Sequence, residues 1–207
     1  MIDIAPFSSD HSLRLVLIRH GEPEQAANGK CPCKIDFGLS EKGRSQMQAK
    51  MISVRELSVE ALYTSPIRRA AESAAIAGLC LQLHAVARPE VQEIDFGRFE
   101  GLSYTQIEQL FPREYKLWMD HPTKVTFPGG ESFAEMKKRV LEFKDFLLKT
   151  NAGKTVLVVS HGGTNRMLLA EALGITDEMV FRLDQGYAAM NIIDYFSSHT
   201  VVRLMNG

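Results

Sequence analysis

The sequence predicts an α/β fold, a three-layer α/β/α sandwich around a largely parallel central sheet. Two segments, residues 13–18 and 155–160, are rich in β-branched and other apolar residues and have the length of a strand. Continuous apolar runs of this kind are typical of strands that are buried on both faces of a sheet. Between them the apolar residues have helical spacing, and strands that alternate with helices favour a parallel sheet covered by helices.

The predicted helices have recognisable start signals. Ser40 is a suitable N-cap for a helix that ends near residue 57, and Pro66 suits the first turn of the next helix. Apolar residues at steps of three and four predict a long amphipathic helix over 131–149, and a shorter helix is expected over 164–173. The stripe on the long helix consists of Phe133, Met136, Val140, Phe143 and Leu147.

The segment 111–130 contains three prolines and a glycine pair, so we expect loops or short helices that cross one edge of the sheet. Its Phe111, Trp118 and Met119 are expected to pack in a lid or in the core. No internal repeat or charge block divides the chain, and we therefore expect residues 1–207 to form a single domain.

Composition excludes several classes of protein. The chain has 24 Lys+Arg and 25 Asp+Glu, a formal net charge of -1, so it has no excess of basic residues for binding nucleic acid. Its apolar runs are too short to span a membrane, and Met1 to Asp10 lack the features of a signal peptide. Three cysteines do not make a secreted disulfide framework. We expect a cytoplasmic protein without nucleic-acid or membrane partners; the sequence leaves its oligomeric state open.

Each of the two predicted strands is followed by a histidine and a glycine. Arg19 and His20 precede Gly21, and His161 precedes Gly162. If the strands are parallel, both histidines leave the sheet at its carboxyl edge, where open α/β sheets bind ligands. Glycine permits sharp turns and close approach, the following helix N-termini favour an anion, and arginine offers a planar fork for phosphate. One such histidine is typical of a core, but the matched pair predicts an anion site.

Two arginines, Arg68 and Arg69, fall in the first turn of the helix that follows a short strand ending near Tyr63. Positive charges at a helix N-terminus oppose the macrodipole, so they do not serve helix stability. An anion between them and the site would explain them, and two solvated arginines are the alternative. Both interpretations remain open on these residues alone.

An acidic segment supplies candidates for a proton donor. Glu93 follows Val91 and precedes the Phe96–Gly97 turn. A carboxyl group enclosed by apolar side chains holds its proton more tightly, as a general acid must. The residues alone do not separate Glu93 from Asp95 and Glu100.

Taken together, these motifs resemble the histidine phosphatase (phosphoglycerate mutase-like) superfamily. The resemblance covers nearly the whole chain from about residue 14. One Arg-His-Gly tripeptide would be weak evidence for the family, whereas six sequence blocks in the family's order are specific evidence. The blocks are LIRHGE at 17–22, LSEKGR at 39–44, TSPIRRA at 64–70, EIDFGRFEG at 93–101, FPGGES at 127–132 and VSHGG at 159–163.

The resemblance implies a phosphoglycerate mutase-like fold and a chemistry that needs neither a metal nor another cofactor. It implies that His20 is a nucleophile that becomes phosphohistidine and that Glu93 is the proton donor. It selects Arg69 over Arg68 because the family arginine directly precedes the alanine. The implied phosphate-binding residues are Arg19, Arg69, His161 and Gly162.

The implied function is a metal-independent phosphatase for small phosphorylated metabolites, similar to α-ribazole phosphatases or the broad-specificity phosphatases. Family mutases carry a longer insertion between the proton donor and the second histidine, so the short stretch from Glu93 to His161 favours hydrolysis. The alternatives are a cofactor-dependent phosphoglycerate mutase, a fructose-2,6-bisphosphatase-type activity, or a catalytically inactive binding module with the same fold.

The chain departs from the family pattern where a leaving group should lie. Ala26 stands where many members have asparagine, and Phe99 stands where tryptophan is usual. These changes leave the identity of the substrate open. Cys31 and Cys33 lie in the same loop as Ala26 and lack further ligands at suitable spacing, so we expect neither a metal site nor a disulfide there.

Overall fold

A mixed six-stranded sheet forms the centre of the computed structural model, which describes residues 11–24, 30–31 and 37–207. The strands are β1 His11–Arg19, β2 Ala61–Thr64, β3 Ala85–Ala87, β4 Thr155–Ser160, β5 Met190–Phe196 and β6 Thr200–Leu204. Their order in the sheet is β3-β2-β4-β1-β5-β6. The four strands from β3 to β1 are parallel, while β5 is antiparallel to both of its neighbours.

Helices cover both faces of this sheet, which confirms the predicted α/β/α class. The described helices are α1 Glu41–Val54, α2 Arg68–Leu81, α3 Tyr104–Leu110, α4 Pro112–Asp120, α5 Phe133–Thr150 and α6 Gly162–Leu173. Side chains alternate along β1, so Leu15 and Leu17 pack with α5 and α6 whereas Val16 and Ile18 pack with α1 and α2. None of them is long and apolar enough to cross a membrane.

The expected juxtaposition of the first and fourth strands is confirmed. β1 and β4 are adjacent and parallel, and their last residues, Arg19 and Ser160, are partners in the ladder. The His20 N–H continues the ladder by donating to the carbonyl of Ser160 over 3.0 Å. His20 and His161 therefore leave the sheet side by side at its carboxyl edge.

One predicted helix has the expected cap, and a second has a cap that was not predicted. The Ser40 hydroxyl accepts the Gly43 N–H at the start of α1, which ends at Val54 and continues as a 3-10 turn to residue 57. Ser132 and Glu135 form a reciprocal capping box on α5, and every residue of the predicted apolar stripe is buried. α6 begins at Gly162, two residues before the predicted start.

The prediction that Pro66 lies in the first turn of a helix is wrong. α2 begins at Arg68, and Ile67 is its extended N-cap residue. The Ser65 hydroxyl accepts the Ile67 N–H over 3.2 Å, and this contact stabilises a turn over Pro66 instead of a helical one. Arg68 and Arg69 do lie in the first turn, as expected.

The segment 111–130 and its neighbours form a small apolar cluster of their own. Trp118 packs against Phe99 and Phe127 with ring centroids 5.7 and 5.4 Å away, and Phe111 packs against Phe99. Met119 does not follow the expectation, since it is 47% exposed on α4. Buried Cys31 joins this cluster, whereas Cys33 and Ala26 lie outside the described residues.

Candidate active site

His20 and His161 face each other at the carboxyl edge of the sheet, with ring centroids 5.2 Å apart. Both are buried. Nδ1 of His20 lies 2.7 Å from the carbonyl oxygen of Gly21. A carbonyl can only accept, so Nδ1 of the neutral ring carries the hydrogen and Nε2 keeps its lone pair. This arrangement directs Nε2 into the site as a potential nucleophile.

The two arginines of α2 take different directions. Arg69 is buried, and its Nε–H donates to Nε2 of His20 over 3.1 Å. Arg68 is exposed and forms an ion pair with Glu72 at 2.7 Å, one turn along the helix. The Ser73 hydroxyl donates to the carbonyl of Arg69 and accepts the Gly21 N–H, which ties α2 to the end of β1. Arg69 is therefore the arginine placed beside the histidines.

Burial and neighbouring positive charges favour neutral imidazoles. Burial lowers the pKa of His20 well below its usual value, Arg69 and Arg19 lower that pKa further, and the hydrogen bond to Gly21 partly opposes them. The pKa of His161 is also lowered, first by burial and then by Arg69, His20 and Arg19. Both rings are neutral near pH 7, the state in which an imidazole is nucleophilic.

Two buried nitrogens at the site have no hydrogen-bond partner among the described residues. Nε2 of His161 lies 2.8 Å from the Ser65 hydroxyl, but its Nδ1 is unpaired, and so is Nε of Arg19. Leaving such a group without a partner costs roughly 1–3 kcal/mol. An anionic ligand that accepts from Arg19 and contacts His161 would remove this cost.

The glycine pair at the start of α6 permits close approach. A Cβ at Gly162 would lie 3.0 Å from Nη1 of Arg166 and 3.6 Å from Nε of Arg19. A Cβ at Gly163 would lie 2.2 Å from a carboxylate oxygen of Glu93. Gly162 is the first residue of this 12-residue helix, and the free N–H groups and positive dipole of a helix N-terminus favour an anion.

Glu93 contacts this helix N-terminus. Its Oε2 accepts the Gly163 N–H over 3.2 Å and its Oε1 accepts the Ile94 N–H over 3.1 Å. The expected apolar enclosure is confirmed only in part, because Glu93 borders a mostly apolar cavity that Phe133 and Met136 also line, while these two backbone donors give its carboxylate polar contacts. Asp95 caps the neighbouring turn by accepting the Gly97 N–H over 2.9 Å. Glu93, Asp95 and Glu100 all line a cleft of about 550 Å³ that Arg69 also borders.

Sequence reasoning missed three residues near the site. Arg166 lies against Gly162 and donates through Nε to the carbonyl of Leu183; burial lowers its pKa. Tyr187 lies 5.7 Å from His20 and under the guanidinium of Arg19, 4.1 Å from the ring centroid. Gln185 holds that guanidinium through its carbonyl oxygen, 2.6 Å from Nη1. The position of Arg166, one helical turn after the glycine pair, was a sequence signal for its place near the site. No sequence signal indicated Gln185 or Tyr187, which lie in a loop.

The arrangement can hold a tetrahedral dianion between cationic and neutral donors. Arg19, Arg69 and the start of α6 supply positive charge, Nε2 of His20 contacts Arg69, and the Glu93 carboxylate contacts the start of α6. The described residues contain no group of three or more histidine, cysteine, aspartate or glutamate side chains arranged to hold a metal ion. What these residues offer together is an anion-binding pocket beside a neutral imidazole and a carboxylate.

Several curated proteins are similar in sequence. A bifunctional protein of Mycobacterium tuberculosis is 33% identical over 195 residues, which are 93% of this chain and 53% of the relative. The chain thus spans about half the length of that relative. Phosphoserine phosphatase 1 of Hydrogenobacter thermophilus is 29% identical over 197 residues, which are 94% of this chain and 92% of the relative.

Solved structures match the fold closely. A putative α-ribazole-5′-P phosphatase from Escherichia coli has a TM-score of 0.87 at 26% identity, covering 94% of this chain and 96% of its own. A phosphoserine phosphatase variant from Entamoeba histolytica, solved with phosphoserine, has a TM-score of 0.82 at 25% identity, and the match covers 94% of this chain and 97% of that one. The model of the histidine phosphatase superfamily (branch 1) matches residues 15–207. The chain belongs to the histidine phosphatase superfamily.

Proposed function

We propose that this protein is a metal-independent phosphatase that hydrolyses small phosphomonoesters through a phosphohistidine at His20. The observation that carries the proposal is the single lone pair left on Nε2 of His20, with Nδ1 held by the Gly21 carbonyl. The unpaired nitrogens of His161 and Arg19 beside it support an anionic substrate. Arg69 adds the charge nearest to the reacting nitrogen.

In the first half-reaction, Nε2 of His20 attacks phosphorus while the ester P–O bond breaks. The carboxylic acid of Glu93 gives its proton to the leaving alkoxide. Negative charge spreads over the equatorial oxygens, where Arg19, Arg69 and the start of α6 stabilise it. The Gly21 carbonyl accepts from Nδ1–H throughout, so the positive ring that forms keeps its partner.

In the second half-reaction, the Glu93 carboxylate takes a proton from a water molecule, whose oxygen attacks phosphorus. The N–P bond breaks and its electron pair returns to Nε2 of His20. Inorganic phosphate leaves, and Glu93 is again protonated for the next turnover. One carboxyl group therefore serves both as acid and as base.

The substrate class follows from the cleft and from the relatives. A cleft of about 550 Å³ lies in the range of pockets that take small molecules. Related proteins bear the names of phosphatases for phosphoserine, α-ribazole 5′-phosphate and glucosyl-3-phosphoglycerate. We propose a small phosphorylated metabolite as the substrate. A panel of these three compounds and 3-phosphoglycerate, compared by kcat/KM, identifies the preferred leaving group.

Rapid quench with a radiolabelled phosphomonoester tests the covalent step. We expect an acid-labile, base-stable phosphoryl adduct in the wild type and no adduct in His20→Ala. The matched control is His84→Ala, since His84 is exposed before β3, at the end of the sheet away from the site. Label on His161, near-wild-type turnover in His20→Ala, or no turnover of p-nitrophenyl phosphate by the wild type would overturn the proposal.

A further inference from the structure

The Pro-Gly-Gly-Glu-Ser motif at 128–132 packs along the backbone that carries Glu93. The Glu131 N–H donates to the carbonyl of Asp95 over 2.9 Å, and Oε2 of Glu131 accepts the Asp95 N–H over 3.4 Å. A Cβ at Gly130 would lie 2.3 Å from the Asp95 carbonyl oxygen. Glycine at 130 is therefore required for this approach, and the motif contacts the backbone of the Glu93 segment while Gly130 and Glu131 also line the cleft.

Arg139 on α5 joins the motif through a bidentate ion pair. Its Nε lies 2.7 Å from Oε1 of Glu131, and its Nη2 lies 2.7 Å from Oε2. The two side chains are only 21% and 16% exposed. Parallel N–H···O bonds of this kind fix both planes relative to each other, which a point charge does not do.

The remaining donors of Arg139 hold the backbone just before Glu93. Nη1 donates to the carbonyls of Glu90 and Gln92, each over 2.8 Å, and Nη2 donates to the carbonyl of Glu93 over 3.2 Å. With the ion pair, these bonds use all five N–H groups of a guanidinium. The Thr164 hydroxyl on α6 also donates to the Gln92 carbonyl, over 3.0 Å.

Glu93 is thus held from two sides. Arg139 fixes its main chain, and Gly163 at the start of α6 contacts its carboxylate. We propose that Glu131 and Arg139 are positioning residues that set where the Glu93 carboxylate meets the leaving group. This inference rests on the proposed function, in which Glu93 exchanges the proton. A lysine at 139 cannot span one carboxylate and three carbonyls, because its three donors radiate from one atom.

The test uses the dependence of the rate on the leaving group. An alkyl alkoxide must be protonated as it leaves, whereas p-nitrophenolate leaves largely unaided. We expect Arg139→Lys and Glu131→Gln to lower kcat/KM for alkyl phosphates about tenfold more than for p-nitrophenyl phosphate, since displaced catalytic groups lose one to two orders of magnitude. Lys138→Gln is the matched control because Lys138 is exposed on the same helix, with Glu142 at 4.0 Å. It should behave as wild type.

If the two residues had a purely structural role, their replacement would lower kcat/KM equally for both substrate types or would lower only the melting temperature. Either result overturns the inference. If Arg139→Lys does not fold, Glu131→Gln decides alone, since it is almost isosteric. Failure of the proposed function is recognised separately, by the absence of labelled His20 in the wild type. A leaving-group contrast in Glu93→Gln that is absent from the folded Arg139→Lys and Glu131→Gln variants overturns the positioning role and leaves the proposed phosphatase activity intact.

Discussion

The Nε–H of Arg69 donates to Nε2 of His20 over 3.1 Å, so the lone pair that would attack phosphorus is occupied by the arginine. A phosphate group competes for this donor, because a hydrogen bond from a guanidinium to an anionic oxygen is stronger than one to a neutral ring. Substrate binding would thus turn Arg69 towards the phosphoryl oxygens and release His20 for attack. The same pair helps to keep the ring neutral before substrate arrives.

Replacing Arg69 by alanine should lower kcat/KM about 10²-fold or more, equivalent to about 2.7 kcal/mol of transition-state stabilisation. Arg68→Ala is the matched control, since its side chain pairs with Glu72 on the surface and points about 100° away around the helix. Steady-state kinetics of both variants on one phosphomonoester check this. Equal losses would contradict the assignment of Arg69 to the phosphate pocket.

Replacing Glu93 by glutamine should affect alkyl phosphates more than aryl phosphates, because the amide cannot protonate a poor leaving group. The contrast should appear in kcat/KM, which reports the steps through the first irreversible transfer. Asp95→Asn and Glu100→Gln are the comparison, since both residues border the same cleft. A leaving-group-dependent loss in either of them, with Glu93→Gln unaffected, would move the proton donor elsewhere.

Chelation should leave the activity unchanged. The positive charge that phosphoryl transfer needs is available from Arg19, Arg69 and the start of α6, and the described residues offer no cluster suited to a metal ion. Turnover of p-nitrophenyl phosphate is measured before and after EDTA, and again with added magnesium or zinc. Activity that disappears on chelation and returns with either ion would refute this prediction.

Stability should fall as the pH drops from 7 to 5. The pKa values of buried His20 and His161 lie well below 6.5 in the folded protein, so below that pH the unfolded chain binds more protons. Unfolding free energy then decreases with falling pH, by up to about 1.4 kcal/mol per pH unit for each histidine. Urea titrations at several pH values measure this slope.

A histidine variant identifies the source of the slope. His161→Gln should show a shallower pH dependence than wild type between pH 7 and 5, because one proton-linked group has been removed. His84→Gln is the control, since its side chain is exposed, and its slope should match that of the wild type. A wild-type slope in His161→Gln would show that other groups govern acid sensitivity.

Local patterns predicted the scaffold well because they depend on near neighbours. The doubly buried strands, the Ser40 cap and the α5 stripe follow from hydrophobic periodicity and from hydrogen bonds within one turn. The start of α2 was predicted wrongly for a related reason. Pro66 favours a helix locally, but Ser65, which also contacts His161, takes the Ile67 N–H into a turn.

The environment of Glu93 could not be predicted from its neighbours in the chain. Val91 and the Phe96–Gly97 turn indicated an apolar enclosure, which is present on one side, but nothing near Glu93 in the chain indicated that its carboxylate accepts the Gly163 N–H from the start of α6. Arg139 reaches the same segment from α5. Contacts between residues so far apart in sequence depend on how helices pack on the sheet.

The sequence by itself determined the α/β class, the family, and the parallel strands that bring His20 and His161 to one edge. These follow from periodicity and from ordered motifs, which short-range geometry links directly to structure. Only the tertiary structure decided which nitrogen of His20 carries the lone pair, that Arg69 donates to it, and that Glu93 is held from α5 and α6. The physical reason is that hydrogen-bond direction and burial arise where distant segments meet, and no local pattern records them.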